Sequence, residues 1–435
     1  MSNLPLTAVS LFASGGVGDL ALRAAGFRTL IANELQADRA SLFKRNYPDA
    51  EVVVGDIWVV LPDIIRRARA ALRGEALDCL FATPPCQGMS KNGRGKLLQG
   101  VREGRRAKLD PRNQLILPTV SAVEALLPRM FVIENVPELE TTLIESPDGQ
   151  LMGALEYVDL RLERLGYVGQ RRIVEFADLG VPQRRQRLIA IYAREAHITR
   201  QIRALRVFPT ATHSRAPTLL QKKWVSVDDA ISHLPKLDAS SADRASSGLE
   251  FHRVPVLDSK KYFWVSNTPE GRGAFDNQCV NDLCRYSSNP VHGTNRNAAG
   301  INRANATTPI RCVMCNELLP RPWVERDGEF RLMSGFTSAY KRMSGDLPAS
   351  ALTRNLSYAC SDQKLHPRQH RVLSLLEAMI IHTISQYDYD WHTDGNKPAS
   401  DKLIREVIGE SIPPAGLEVI FQHLRAADLE IQNAA

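Results

Sequence analysis

The stretch Leu77-Asp78-Cys79-Leu80-Phe81-Ala82-Thr83-Pro84-Pro85-Cys86-Gln87-Gly88-Met89-Ser90 decides how the chain is read. Leu77 to Ala82 is apolar apart from Asp78, which suits a buried strand, and the two prolines allow neither a helix nor further ladder pairing. The chain must therefore turn at Pro84-Pro85 and present Cys86 at the carboxyl end of that strand. In open α/β sheets ligands bind at that edge, so Cys86 is expected in a site. A lone cysteine is more often a small buried hydrophobe. The flanking sequence decides between the two.

Toward the N-terminus, Leu6 to Ala13 reads as a strand, Ser14-Gly15-Gly16-Val17-Gly18-Asp19 as a glycine-rich turn, and Leu20 to Ala25 as the helix it opens, ended by Gly26. Such glycines let a ligand approach the backbone, and the helix start favours a negatively charged group. Thr29 to Asn33 is a second strand that delivers Glu34 to the same edge, where it could hold ribose hydroxyls. Glu51 to Val54 is a third, followed by Gly55-Asp56-Ile57. A glycine turn with an acid after each of the next two strands suits a nucleoside-type ligand, although either acid alone could be a solvated loop residue.

Toward the C-terminus, Lys91 to Arg112 carries Lys91, Arg94, Lys96, Arg102, Arg105, Arg106, Lys108 and Arg112 against Glu103 and Asp110. A loop so basic suits a phosphate backbone. Asn113 to Leu127 reads as a helix closed by Pro128, with Pro118 tolerable near its first turn. Met130 to Ile133 is then a strand that brings Glu134-Asn135-Val136-Pro137 to the edge of Cys86. A carboxyl leaving a buried apolar strand has a raised pKa, fitting it to give a proton near neutral pH. Val158 to Gly166 reads as a helix, and Val168 to Phe176 and Leu188 to Tyr192 as strands. Between these strands, extended alternation puts Gln183, Arg185 and Arg187 on one face. Two guanidinium groups facing a site would bind an anion or hydrogen-bond acceptors; the plain alternative is a basic edge strand that resists aggregation.

A chain of 435 residues exceeds what one core normally supports, so two domains are expected. Its 44% hydrophobic and 24% charged content is that of a soluble globular protein, and a net charge of +7 leans toward a polyanionic partner. No basic region precedes the first apolar stretch and no apolar run nears the length of a membrane span, so neither signal peptide nor membrane segment is expected. Seven scattered cysteines argue against a disulfide framework and for a reducing compartment. Four of them, Cys279-x4-Cys284 and, after 27 residues, Cys312-x2-Cys315, have spacings that suit tetrahedral zinc. Free buried thiols are the competing account.

Taken together, Phe12-Ala13-Ser14-Gly15-Gly16, Asp56, Pro84-Pro85-Cys86-Gln87, Glu134-Asn135-Val136 and Gln183-x-Arg185-x-Arg187 resemble, in order and spacing, the motifs of the cytosine-5 DNA methyltransferases. Pro348 to Thr353, His366-Pro367 and Arg371 to Ala378 are similar to the family's ninth motif, and Gly409-Glu410-Ser411-Ile412-Pro413-Pro414 to its tenth. Ser14 stands where the family usually has glycine, and Glu410 where it usually has asparagine.

The resemblance implies an α/β fold: a Rossmann-like S-adenosylmethionine-dependent methyltransferase with a mixed, mostly parallel sheet and a smaller irregular target-recognition domain. It implies a catalytic domain over 1–200, completed by 396–435, and a target-recognition domain over 201–395 that includes the ninth-motif segment. Cys86 would add to cytosine C6, Glu134 would serve N3, Arg185 would hold O2, and Arg187 would support Glu134 or Cys86. Phe12, Gly16, Glu34, Asp56, Ile57 and Pro84 would line the S-adenosylmethionine site. The expected partner is double-stranded DNA with the target base flipped out, bound by a cytoplasmic bacterial monomer, nucleoid-associated when on DNA, with a possible cognate restriction endonuclease. A tRNA cytosine-5 methyltransferase is the alternative; a non-catalytic DNA-binding relic is disfavoured because Cys86, Glu134, Arg185 and Arg187 are all present.

Overall fold

The computed structural model describes residues 5–85, 110–240, 242–246, 248–291, 295–296, 302–303, 308–333 and 338–432. Cys86 and the basic stretch from Lys91 to Lys108 lie outside them. Seven strands form the central sheet: β1 (Leu6–Leu11), β2 (Phe27–Glu34), β3 (Glu51–Val54), β4 (Cys79–Ala82), β5 (Met130–Asn135), β6 (Val168–Glu175) and β7 (Gln186–Ala193). Their spatial order is β3-β2-β1-β4-β5-β7-β6. Pairing is parallel from β3 through β5, whereas β7 runs antiparallel to both β5 and β6. Central strands buried on both faces read as near-continuous apolar runs. This is why β4 and β5 stand out in the sequence.

Strand alternation sorts the core into two layers. Leu80, Ala82, Phe131 and Ile133 pack on one face against the helices α3 (Ile57–Leu72), α4 (Ile116–Leu126) and α5 (Ala154–Glu163). Cys79, Phe81 and Val132 pack on the other face against α1 (Val17–Ala24), α6 (Ala196–Arg203) and the helix Pro414–Gln432. Phe421 of that last helix meets the rings of Phe27 and Phe81 at 5.8 and 5.5 Å. Helix bounds differ from expectation in three places, the first being α1, which starts three residues before Leu20. A 3₁₀ turn, Pro111–Leu115, precedes α4 because Asp110 caps it by accepting from the Arg112 N–H. Helix α5 starts four residues before Val158, where Glu156 reaches back to accept from the Gly153 N–H at 3.2 Å.

The expected domain boundary at 395 is not a packing boundary. Leu373, Ala378, Ile381 and Trp391 share one core with Ala13, Val17, Phe43 and Tyr47 and with Leu403 and Val407. The ninth-motif segment thus packs in one cluster with α1 and with the chain after 396. Its turn is fixed by Arg371, whose guanidinium donates to both Glu377 oxygens at 2.7 Å while both side chains are buried. A separate aromatic cluster, Trp264, Phe275 and Tyr340, organises an irregular region of short two-stranded ladders. There Trp264 and Tyr340 meet edge to face at 5.3 Å.

Burial pushes the Glu377 carboxyl up, but the Arg371 hydrogen bonds hold it below the ordinary value. A depressed folded-state pKa contributes stability above the unfolded value, and that contribution disappears as pH falls through the folded value. Removing one partner of such a buried pair leaves an uncompensated charge. Arg371→Met is expected to cost about 3–5 kcal/mol in a denaturant titration at neutral pH. The loss should shrink in acid, where Glu377 protonates; an undiminished loss there would contradict the charge account.

Candidate active site

The glycine turn begins where β1 ends. Phe12 and Ser14 take left-handed backbone angles, φ 59° and 49°, and Gly16 follows at φ 81° as the residue preceding α1. A Cβ on Gly16 would sit 2.5 Å from the Tyr47 ring, so the turn closes only around glycine. Two tyrosines hold its carbonyls: the Tyr47 hydroxyl donates to Gly16 O and the Tyr389 hydroxyl to Gly15 O, both at 2.6 Å. Glu34, at the end of β2, accepts from the Ser14 and Gln36 N–H groups at 2.9 Å. Burial raises its pKa.

Asp56 ends the β3 loop and caps α3 by accepting from the Trp58 N–H at 3.0 Å. Asn33 fixes that loop by donating to Val53 O and Gly55 O at 3.0 and 3.1 Å. Beside these two acids lie exposed apolar side chains: Leu35, Val54, Trp58 and Val59 are 63%, 48%, 51% and 77% accessible. Carboxylates for ribose hydroxyls next to apolar surface for a purine fit the nucleoside part of S-adenosylmethionine. The sequence reading passed over Trp58. Its signal was an exposed aromatic two residues after Asp56, in the first turn of a helix that the reading did not assign. Glu410, in place of the usual asparagine, instead accepts from Arg39 Nη1 at 2.7 Å.

Pro84 stands next to this edge. Thr83 Oγ1 donates to Phe12 O at 3.0 Å, and Asn135 Nδ2 donates to Pro84 O at 3.1 Å, tying the Pro84-Pro85 turn to its two neighbouring strands. Glu134, one residue before Asn135, is 8% exposed. Arg187 Nε lies 2.9 Å from its Oε1. Burial raises the Glu134 pKa, opposed first by Arg187 and then by Arg185. The group is thus a buried carboxyl with a raised pKa beside a guanidinium.

Arg185 lies in the interior. Its side chain is 2% exposed and donates to Leu352 O, Gly409 O and Ser411 O at 2.8, 3.1 and 2.6 Å. Through these carbonyls it anchors the returning chain, while it also lowers the pKa of Glu134. Gln183 is buried as well: its Oε1 accepts from the Leu352 N–H at 3.0 Å, and its Nε2 meets His382 Nδ1 at 3.1 Å. His382 Nε2 in turn meets Ser411 Oγ at 3.0 Å. Burial, with Arg185 and Arg187 nearby, holds His382 far below its ordinary pKa, so it is neutral.

Away from the sheet, Cys279, Cys284, Cys312 and Cys315 converge, with all four Sγ atoms within 4.8 Å of one another. The pairs 279/315 and 284/312 stand 3.6 and 3.9 Å apart, against roughly 3.8 Å for the edge of a zinc–sulfur tetrahedron. Backbone N–H groups of Asn281, Tyr286 and Met314 point at Cys279, Cys284 and Cys312, each from two residues on. Burial works against ionising Cys312, yet the N–H groups of Cys315 and Met314 bring its thiol down to about 6. The donor set suits a thiolate-binding metal.

The sheet order, the glycine turn and the acids at its edge define an S-adenosylmethionine-dependent methyltransferase fold. Comparisons with known proteins agree. At 13% identity, the structures of Entamoeba histolytica methyltransferase EhMeth and of Schizosaccharomyces pombe Dnmt2 methyltransferase both superpose with a TM-score of 0.53, covering 98% of this chain and 99% of theirs. Type II methyltransferase M1.HgaI of Avibacterium volantium is 27% identical across 96% of this chain and 97% of its own length. Type II methyltransferase M1.HphI of Haemophilus parahaemolyticus is 31% identical across 54% of this chain and 55% of its own. The family profile for C-5 cytosine-specific DNA methylases matches residues 6–426, and the chain belongs to that family. It is an enzyme of DNA cytosine-5 methylation, and these matches do not favour the tRNA alternative.

Removing the guanidinium beside Glu134 should let burial act unopposed. In Arg187→Met the Glu134 carboxyl is expected to titrate at a higher pH than in the parent, followed by carbon NMR of labelled glutamate. Arg185→Met should move it less, and a larger shift from Arg185 would reverse the ranking of the two arginines.

Proposed function

We propose that the protein methylates C5 of a cytosine extruded from duplex DNA at a defined sequence, as the protecting partner of a restriction endonuclease. The observation that carries this reading is the Glu134–Arg187 pair, 2.9 Å apart beside the Pro84-Pro85 turn that leads to Cys86. Cytosine C5 is a weak nucleophile. Addition of the Cys86 thiolate to C6 breaks the C5–C6 double bond and leaves an enamine whose electron pair is available at C5. A protonated Glu134 meets N3 as this pair develops, so no full negative charge builds on the ring. Arg187, rather than Arg185, would hold O2 while it orients Glu134. S-adenosylmethionine supplies the methyl group when bound. Loss of the C5 proton then expels the thiolate and restores the ring.

Phe12, Gly16, Glu34, Asp56, Ile57 and Pro84 would hold the cofactor, with Trp58 against its purine. The four cysteines would hold a structural zinc ion. The target-recognition part would be the region around Trp264 and the cysteine cluster, and the ninth-motif segment would belong to the catalytic part. Segment Lys91–Arg112 would contact phosphates, and the enzyme would act in the bacterial cytoplasm as a monomer.

Duplex DNA carrying 5-fluorocytosine, which has no C5 proton to lose, should be captured covalently in the presence of S-adenosylmethionine. Cys86→Ser should give no adduct, and a Cys86→Ser variant that still methylates would overturn the mechanism. Glu134→Gln is expected to lower the methylation rate about 10²–10⁴-fold. Separately, S-adenosylhomocysteine should quench Trp58 emission, with the response absent in Trp58→Leu. Purified protein should contain one zinc per chain, lost in Cys312→Ser; protein without metal would leave four free thiols as the correct account.

A further inference from the structure

Hydrogen bonds hold the turn from Phe12 to Gly16 at every residue, yet they leave one atom out. The N–H groups of Ala13 and Ser14 donate to Asn33 O and Glu34 Oε2, and the Gly16 N–H donates to Ala13 O, all at 2.9 Å. The carbonyls of Phe12, Gly15 and Gly16 accept from Thr83, Tyr389 and Tyr47. The Ser14 hydroxyl is left over: its Oγ is buried and has no hydrogen-bond partner among the described residues.

Ser14 burdens the free protein twice. Its φ of 49° lies in the left-handed region, where a Cβ is disfavoured and glycine is the default residue. A buried hydroxyl without a partner has also lost its bonds to water and gained none in exchange. Glycine would remove both burdens. Strain and unmet polar groups of this kind cluster at ligand clamps, where an arriving group meets them. Ser14 as a residue is only partly buried, so rotation about Cα–Cβ to another staggered position can carry the hydroxyl to such a group.

The surroundings select the group. Helix α1 begins three residues after Ser14, and among the described residues no side chain caps its start. Asp19, the acid of its first turn, is buried in the core, where its carboxyl accepts from Ser10 Oγ and Thr29 Oγ1 at 2.9 and 2.8 Å. An uncapped helix start favours a negative charge from outside. The methyl donor carries one such charge, the carboxylate of its methionine part, and a hydroxyl is a donor for it. We propose that Ser14 Oγ donates a hydrogen bond to this carboxylate and so selects a donor with an intact amino-acid tail. Glycine at the same position could offer no side chain. The proposal rests on the methyl-transfer reading above and asks nothing of DNA or of metal.

The test compares S-adenosylhomocysteine with decarboxylated S-adenosylhomocysteine, which keeps the ammonium and lacks the carboxylate, by calorimetric binding to the full chain. Ser14→Ala keeps the Cβ and loses only the hydroxyl; Ser14→Gly also frees the backbone. Both variants should bind S-adenosylhomocysteine about 10- to 150-fold more weakly than the parent, the range for a hydrogen bond to a charged group. Both should bind the decarboxylated compound as the parent does. Without ligand, Ser14→Ala should unfold at a urea concentration no lower than the parent's. A lower one would mean that the hydroxyl already has a partner in the free protein, which overturns the proposal. Equal weakening toward both compounds, or unchanged affinity for S-adenosylhomocysteine, would overturn it as well. A parent that binds neither compound would sink the cofactor reading of the turn itself, an outcome distinct from a parent that binds and variants that match it.

Discussion

The architecture depends on one buried guanidinium. Arg185 leaves the strand region that also carries Arg187 and donates to three main-chain carbonyls contributed by Leu352, Gly409 and Ser411. Carbonyls at the end of a helix and in a turn need donors, and an arginine with five N–H groups can serve several together. The result joins the sheet to chain that arrives more than 160 residues later. Gln183 and His382 extend the joint, and Gly409 makes it possible, since a Cβ there would fall 2.1 Å from Arg354 N.

That joint sets the electrostatics of the site. A charged His382 would face Arg185 and Arg187, so it stays neutral and accepts from Gln183. Glu134 has the opposite problem, because burial disfavours its charge while Arg187 favours it. One strand region thus supplies an arginine that holds structure and another, two residues on, that tunes a carboxyl. Exchanging their environments would exchange their roles.

The sheet was legible because β1, β2, β4 and β5 are short apolar runs ended by glycine, proline or an acid, each with a plain physical meaning. Alternation correctly put Gln183, Arg185 and Arg187 on one side, and burial follows it. It could not say what covers that side. Gln183–Arg184 pairs with Ala349–Ser350, while Gln186 onward joins the main sheet. Arg185 sits at the crossing, and the carbonyls that take it come from segments with no local signature. Packing across position 395 was hidden for a similar reason: variable sequence stops resembling a motif well before it stops packing on the sheet. The four cysteines, whose spacing suited zinc with free buried thiols as the alternative, lie together although 27 residues separate the pairs.

The wall around the glycine turn comes from chain more than 370 residues further on. Tyr389 and Val407 close over Gly15, and Phe421 fills the face of the sheet between Phe27 and Phe81. A ribosome delivers those residues long after the turn itself. The nascent chain therefore carries an open, half-covered sheet while the intervening stretch is made, and the wall around the glycine turn closes only once they have emerged.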